Sequence, residues 1–185
     1  MKNLKFLALF FTTTLFLASC SSDDDNEPIN EEEVITTVRV ALTGGSVPIT
    51  LEWKQLDESA GPAITVSGDL EANTTYTGVI SVLNELENPA DNITLEIIEE
   101  DEEHQFFYQV GTGLNISNLT YLDFDGNGNP VGVSFSFDTG DASQGNFTVT
   151  LRHEPNKDAA GVSDGQIANA GGETDLEVTF PLVIQ

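Results

Sequence analysis

Val131-Gly132-Val133-Ser134-Phe135-Ser136-Phe137 places a large apolar side chain at every second position and a small one between. An extended chain turns successive side chains to opposite faces, so this spacing predicts a strand with one face in a core. The same period runs outward in both directions. Upstream, Val34, Thr36, Val38, Val40 and Leu42 share the face of a strand that stops at Thr43-Gly44-Gly45. Ile49, Leu51 and Trp53 alternate with Thr50, Glu52 and Lys54, and a short strand is expected over Ala63 to Ser67. Tyr76, Gly78, Ile80 and Val82 form another face, followed by Phe106, Tyr108 and Val110 and by Leu119 to Phe124. Downstream come Phe147, Val149 and Leu151, then Leu176, Val178, Phe180, Leu182 and Ile184. Alternating segments joined by turn residues predict an all-β antiparallel sandwich.

One stretch departs from this pattern. In Asp91 to Glu103, Ile93 and Ile97 are spaced for one helical face and Asn92 stands where a cap is expected. Ile93, Leu95 and Ile97 also alternate, but one short helix across an end of the sandwich is the expectation. Leu70-Glu71-Ala72-Asn73-Thr74-Thr75-Tyr76 resembles the tyrosine corner of fibronectin type III and related domains, in which the hydroxyl turns back onto upstream backbone. Val47 to Lys54 is similar to the second strand of such domains, with Trp53 as the core tryptophan. The resemblance implies an immunoglobulin-like sandwich. It does not carry the strand order, because the interval from Trp53 to Tyr76 is shorter than in a fibronectin domain.

The N-terminus reads as an address. Lys2 and Lys5 precede an apolar run from Phe6 to Leu17 that is shorter than the roughly 20 residues a spanning helix needs. Leu17-Ala18-Ser19-Cys20 resembles a bacterial lipobox, and Cys20 is the only cysteine, so no disulfide forms within one chain. Ser21-Ser22-Asp23-Asp24-Asp25 resembles the acidic export signal of Bacteroidota lipoproteins. The acidic, aperiodic run over 20–33 reads as a tether, and the remaining length, with no second composition shift, as one domain over 34–185. The resemblance implies a signal peptide over 1–19 and acylation (palmitate) at Cys20. It places that domain on the outer membrane, at the cell surface. Leu151-Arg152-His153-Glu154-Pro155, Gly171-Gly172-Glu173-Thr174-Asp175 and the Asp123 to Pro130 turn resemble stretches of small flavobacterial surface lipoproteins. Some of those are grouped with type 1 periplasmic binding folds. That grouping needs two α/β lobes with crossover helices, for which this chain has neither length nor helical segments.

Charge narrows the partners. The chain carries 31 acidic and 6 basic residues, a formal charge of −25. Such a surface repels phosphate backbones, so no nucleic-acid partner is expected. Two clusters could attract a cation. Asp123, Asp125 and Asn127 sit at positions 1, 3 and 5 of a calcium-type loop, with Gly128 at position 6, but position 12 is Ser134 where a bidentate Glu is usual. Asp-Gly and Asn-Gly are equally hairpin turns. The run Glu99 to Glu103 leads into His104, which with a carboxylate could hold a transition metal, although no second His stands at helical spacing.

The segment from His153 to Thr174 is long for a structureless connection, and such loops are commonly functional. It holds His153, Glu154, Lys157, Asp158, Ser163, Asp164 and Glu173, with Asp175 just beyond. Ser163, His153 and an Asp form a triad only on paper, since no nucleophile-elbow pattern surrounds the serine. The expectation is therefore a non-enzymatic, lipid-anchored surface protein. Its loop, with His104, would meet a small solute, a cation or an outer-membrane transporter. The alternative is a structural or adhesive module stiffened by calcium.

Overall fold

The computed structural model describes residues 33–57 and 59–185. The export signal, Cys20 and the tether up to residue 32 lie outside the described residues. The strands are β1 (Thr37–Thr43), β2 (Ile49–Lys54), β3 (Ala63–Val66), β4 (Thr75–Leu83), β5 (His104–Val110), β6 (Ile116–Tyr121), β7 (Ser134–Thr139), β8 (Ser143–His153) and β9 (Glu173–Ile184). Among the described residues one α-helix, α1 (Ile93–Glu99), joins β4 to β5, and a single 3-10 turn spans Ile167–Asn169.

Two sheets face one another, six strands in the order β3-β2-β1-β4-β7-β6 and three in the order β5-β8-β9. Every strand pairing within them is antiparallel. The return of β4 to lie beside β1, after the β1-β2-β3 meander, is a Greek key. The chain is thus an all-β sandwich, but its strands divide six and three, unlike the four and three of an immunoglobulin constant domain.

The alternating residues meet between the sheets. Val38, Val40, Leu51, Ile80 and Val82 come from the larger sheet, and Phe106, Val149, Val178 and Phe180 from the smaller. Phe135 lies at the centre, its ring centroid 3.9 Å from that of Tyr108 and 6.2 Å from those of Phe137 and Phe147. Its cross-strand partner is Gly78, and a Cβ there would lie 2.3 Å from the ring. The glycine leaves the space that the ring fills.

The tyrosine corner is formed: the Glu71 N–H donates to the Tyr76 hydroxyl at 2.9 Å. Trp53 is half-buried and packs on the rim of the core rather than within it. In α1 the helical spacing prevails. Ile93 and Ile97 are buried whereas Leu95 and Ile98 face solvent. Asn92 occupies the N-cap position without a side-chain cap bond. Thr94 docks the helix instead, its hydroxyl accepting from the Val82 N–H at 2.8 Å and donating to the Val82 carbonyl.

The opening alternation holds in facing but not in pairing. Val131 and Val133 are buried, yet β7 begins only at Ser134. Gly132 has φ +88°, which takes the chain out of the pleat. Residues 131–133 cross between the sheets. The Phe106 N–H donates to the Val131 carbonyl at 2.8 Å, and the Ile80 N–H to the Val133 carbonyl at 2.9 Å. A second link joins the two layers at residues 70–72, where the N–H groups of Leu70 and Ala72 donate to Val183 and Gln185 beside the end of β9.

Candidate functional site

The long segment after β8 is a packed flap rather than a free loop. Phe107 points away from the main core and is buried with Val162 and Ala170, with Ala159 and Ile167 against them. Gln105, also fully buried, donates from Nε2 to the Val162 carbonyl at 3.1 Å. The flap therefore covers the outer face of the smaller sheet. This corrects the expectation of one presented loop site. Asp164 and Glu173 are exposed, and Asp158 accepts a long bond from Asn129 Nδ2 at 3.4 Å. These three do not converge with the histidines in any described cluster of metal-type donors.

The calcium reading is also corrected. Asp123 turns its carboxylate onto backbone, accepting from the N–H groups of Gly132, Val133 and Ser134 at 3.0–3.2 Å. Asp125 accepts from the N–H groups of Asn127 and Asn129 at 2.9 and 2.8 Å. Asn127 is exposed. Where a cation would need oxygens, the chain supplies its own ammonium. Lys157 Nζ donates to Asp125 Oδ2 at 3.1 Å, to the Pro130 carbonyl at 3.0 Å and to the Asp101 carbonyl. Both side chains are buried, 5% and 1% exposed. Burial alone would raise the Asp125 pKa, but the Asn129 N–H, the ammonium and the Asn127 N–H outweigh it and hold the carboxyl below its usual range. The turn is a lysine-pinned structural loop, which ties the flap to the β6–β7 connection.

The two histidines of the chain meet at one end of the smaller sheet. His104 opens β5, His153 closes β8, and the two are register partners with rings stacked at 4.7 Å and 11°. The next strand contributes Asp175. Leu151 pairs with Leu176 but Arg152 with Thr174, so Asp175 is the extra residue of a bulge in β9. Bulges re-aim side chains and favour functional edges. Here donor atoms of His104, His153 and Asp175 all lie within 4.8 Å of one another. His104 is 3% exposed and its Nδ1 lies 3.2 Å from the Glu100 carbonyl, which selects the tautomer with the proton on Nδ1 and leaves Nε2 as a lone-pair donor. Carboxylates ring the pair, with Glu100 at 3.9 Å from His104 and Glu103 at 3.9 Å from His153. Glu103, His153 and Glu154 form a second, more exposed group of the same kind.

No protein-family model, curated protein or solved structure matches the chain. Its chemistry is read from its own side chains. Among the described residues, no helix is long and apolar enough to cross a membrane.

Glu33, just before β1, adds an electrostatic signature to the same end. Burial, a hydrogen bond with Glu96 and the charges of Glu96, Glu100 and Asp175 raise its carboxyl from about 4.5 to about 8. The folded chain thus keeps a proton that the unfolded chain releases near pH 4.5. The stability this provides is complete in acid and is lost as pH rises through the interval ending near 8. Chemical denaturation between pH 4.5 and 8 should show a decline that Glu33→Gln flattens. An unchanged slope in that variant would assign the decline to other groups.

Proposed function

We propose that this chain is a lipid-anchored, non-enzymatic surface binding protein whose binding end is the His104–His153 end of the sandwich. The observation that supports the reading is the convergence of two histidines and a bulged aspartate from three adjacent strands. A buried imidazole stacked on a half-buried one and ringed by carboxylates adds little to a sandwich core, which would be better filled by apolar side chains. It is, however, a donor set for a cation or a cationic solute. The lipobox-like Cys20 and the acidic residues after it supply the proposed address, on the outer membrane facing outward. Two or more acyl chains at Cys20 give stable attachment where one would be marginal. In this reading a neighbouring outer-membrane transporter is the natural recipient of what the site captures.

The address has a direct test. Cells fed labelled palmitate should place label on the protein, and Cys20→Ser should move it from the membrane fraction to the soluble one. A serine variant that stays with the membranes would count against the anchor.

A further inference from the structure

We infer that His104, His153 and Asp175 form a mononuclear site for a first-row transition-metal dication of the Zn²⁺ type, with at least one coordination position left for water or an exogenous ligand. The inference rests on the binding reading of this end of the sandwich and not on the lipid anchor.

Three features of the site carry it. The donor set is two imidazoles and one carboxylate, the mixture that suits zinc, cobalt, nickel or iron rather than calcium, which takes six to eight oxygens. Each ligand comes from a different strand of one sheet, so the backbone that sets their spacing is held by cross-strand hydrogen bonds. The Glu100 carbonyl at His104 Nδ1 is the outer-shell acceptor that orients a ligating imidazole.

The arrangement also says how loading proceeds. Ligands on one zinc sit roughly 3–3.5 Å apart, given bonds of about 2.0–2.2 Å, whereas the donors here spread over as much as 4.8 Å. Two nearly parallel stacked rings cannot both aim a lone pair at one point. One ring must turn. His104 is held by Glu100 and is 3% exposed, while His153 is 15% exposed, so His153 is the ring that swings. His153 is shared with the Glu103–Glu154 group, which supplies a surface approach to the buried position.

The test uses the chain as cells produce it, purified without a histidine tag, stripped with chelator, and titrated with ZnCl₂, CoCl₂ and CaCl₂. The expected result is one Zn²⁺ per chain, a melting temperature that rises with Zn²⁺, visible absorption bands with Co²⁺, and no saturable Ca²⁺ binding. Asp175→Asn and His153→Asn should each weaken Zn²⁺ binding by more than the roughly 10–100-fold that loss of an outer hydrogen-bond partner costs, with melting of the metal-free variants reporting whether they fold. Glu103→Gln with Glu154→Gln should slow loading while retaining one Zn²⁺ per chain, and Asp164→Asn, at an exposed carboxylate outside the cluster, should change neither. Absence of Zn²⁺ binding, binding that survives Asp175→Asn and His153→Asn, or binding lost only in the Glu103/Glu154 variant would overturn the inference. An anchored protein that binds no metal would overturn this inference alone, and a metal-binding protein free in solution would remove only the anchor.

Discussion

Lys157→Met is expected to destabilise the fold by about 3–5 kcal/mol, the cost of leaving one partner of a buried ion pair without the other. The Asp125 side chain is 1% exposed, so water cannot take over from the ammonium. The Pro130 and Asp101 carbonyls lose the same donor. Methionine keeps most of the volume, which makes the loss electrostatic rather than one of packing. Urea denaturation measures it directly. Two controls separate the ion pair from other causes. Adding Asp125→Asn to Lys157→Met should recover part of the loss, since removing both charges is far cheaper than removing one. Lowering the pH should also narrow the gap between variant and parent. In the parent, Asp125 sits below its usual range, so its contribution is present above about pH 4 and fades as the pH falls through the lowered value. The variant keeps the Asn129 and Asn127 N–H bonds to Asp125 but not the ammonium, so it has less of this contribution to lose. A loss under 1 kcal/mol, with no pH dependence, would mean that the loop does not depend on its lysine.

The second large effect concerns Phe135 and Gly78. Phe135→Ala removes a fully buried ring from the middle of the aromatic layer and should cost about 3–5 kcal/mol. Gly78→Ala should cost about 1–3 kcal/mol for the opposite reason, because its methyl would meet the Phe135 ring at 2.3 Å. The two costs are not independent. With the ring gone, the methyl enters the space the ring vacated, so the double variant should be no less stable than Phe135→Ala alone. A double-mutant cycle reads this as a coupling of 1 kcal/mol or more. Strict additivity would show that the ring does not rest on the glycine.

Most of the fold is legible from period alone, because burial on one face imposes alternation wherever a strand runs. Leu176 to Ile184 alternates through its whole length and lies within β9. Helical spacing in Ile93 and Ile97 identifies α1, and Tyr76 names its own hydrogen bond five residues upstream. Val131 to Val133 alternates without being a strand. A crossing segment can keep the facing of a strand while one glycine at positive φ removes it from the ladder. The site is less legible still. His104 stands two residues before Phe106, and His153 two after Leu151, so each continues a core-facing row. That they lie opposite one another depends on the β5–β8 register, which joins residues 49 apart and leaves no local trace. The bulge that brings in Asp175 is likewise a property of pairing. Asp123 and Asp125 misdirect for a related reason: the spacing of a cation loop is also the spacing of a turn, and the residue that decides between them, Lys157, lies 32 positions from Asp125.

The links between the layers have a consequence for how copies of the chain behave when crowded. A bare strand margin invites a neighbour's strand and, from there, fibres. In the smaller sheet, β5 has its Phe106 N–H taken by Val131 and its Phe106 carbonyl by the Tyr121 hydroxyl, and the far end of β9 is bonded along Leu70 to Ala72. At the margins of the larger sheet, β3 has only four residues and β6 is out of register between Ser117 and Thr120. At these places a neighbouring chain would find occupied, short or interrupted rungs, which disfavours zipping together there.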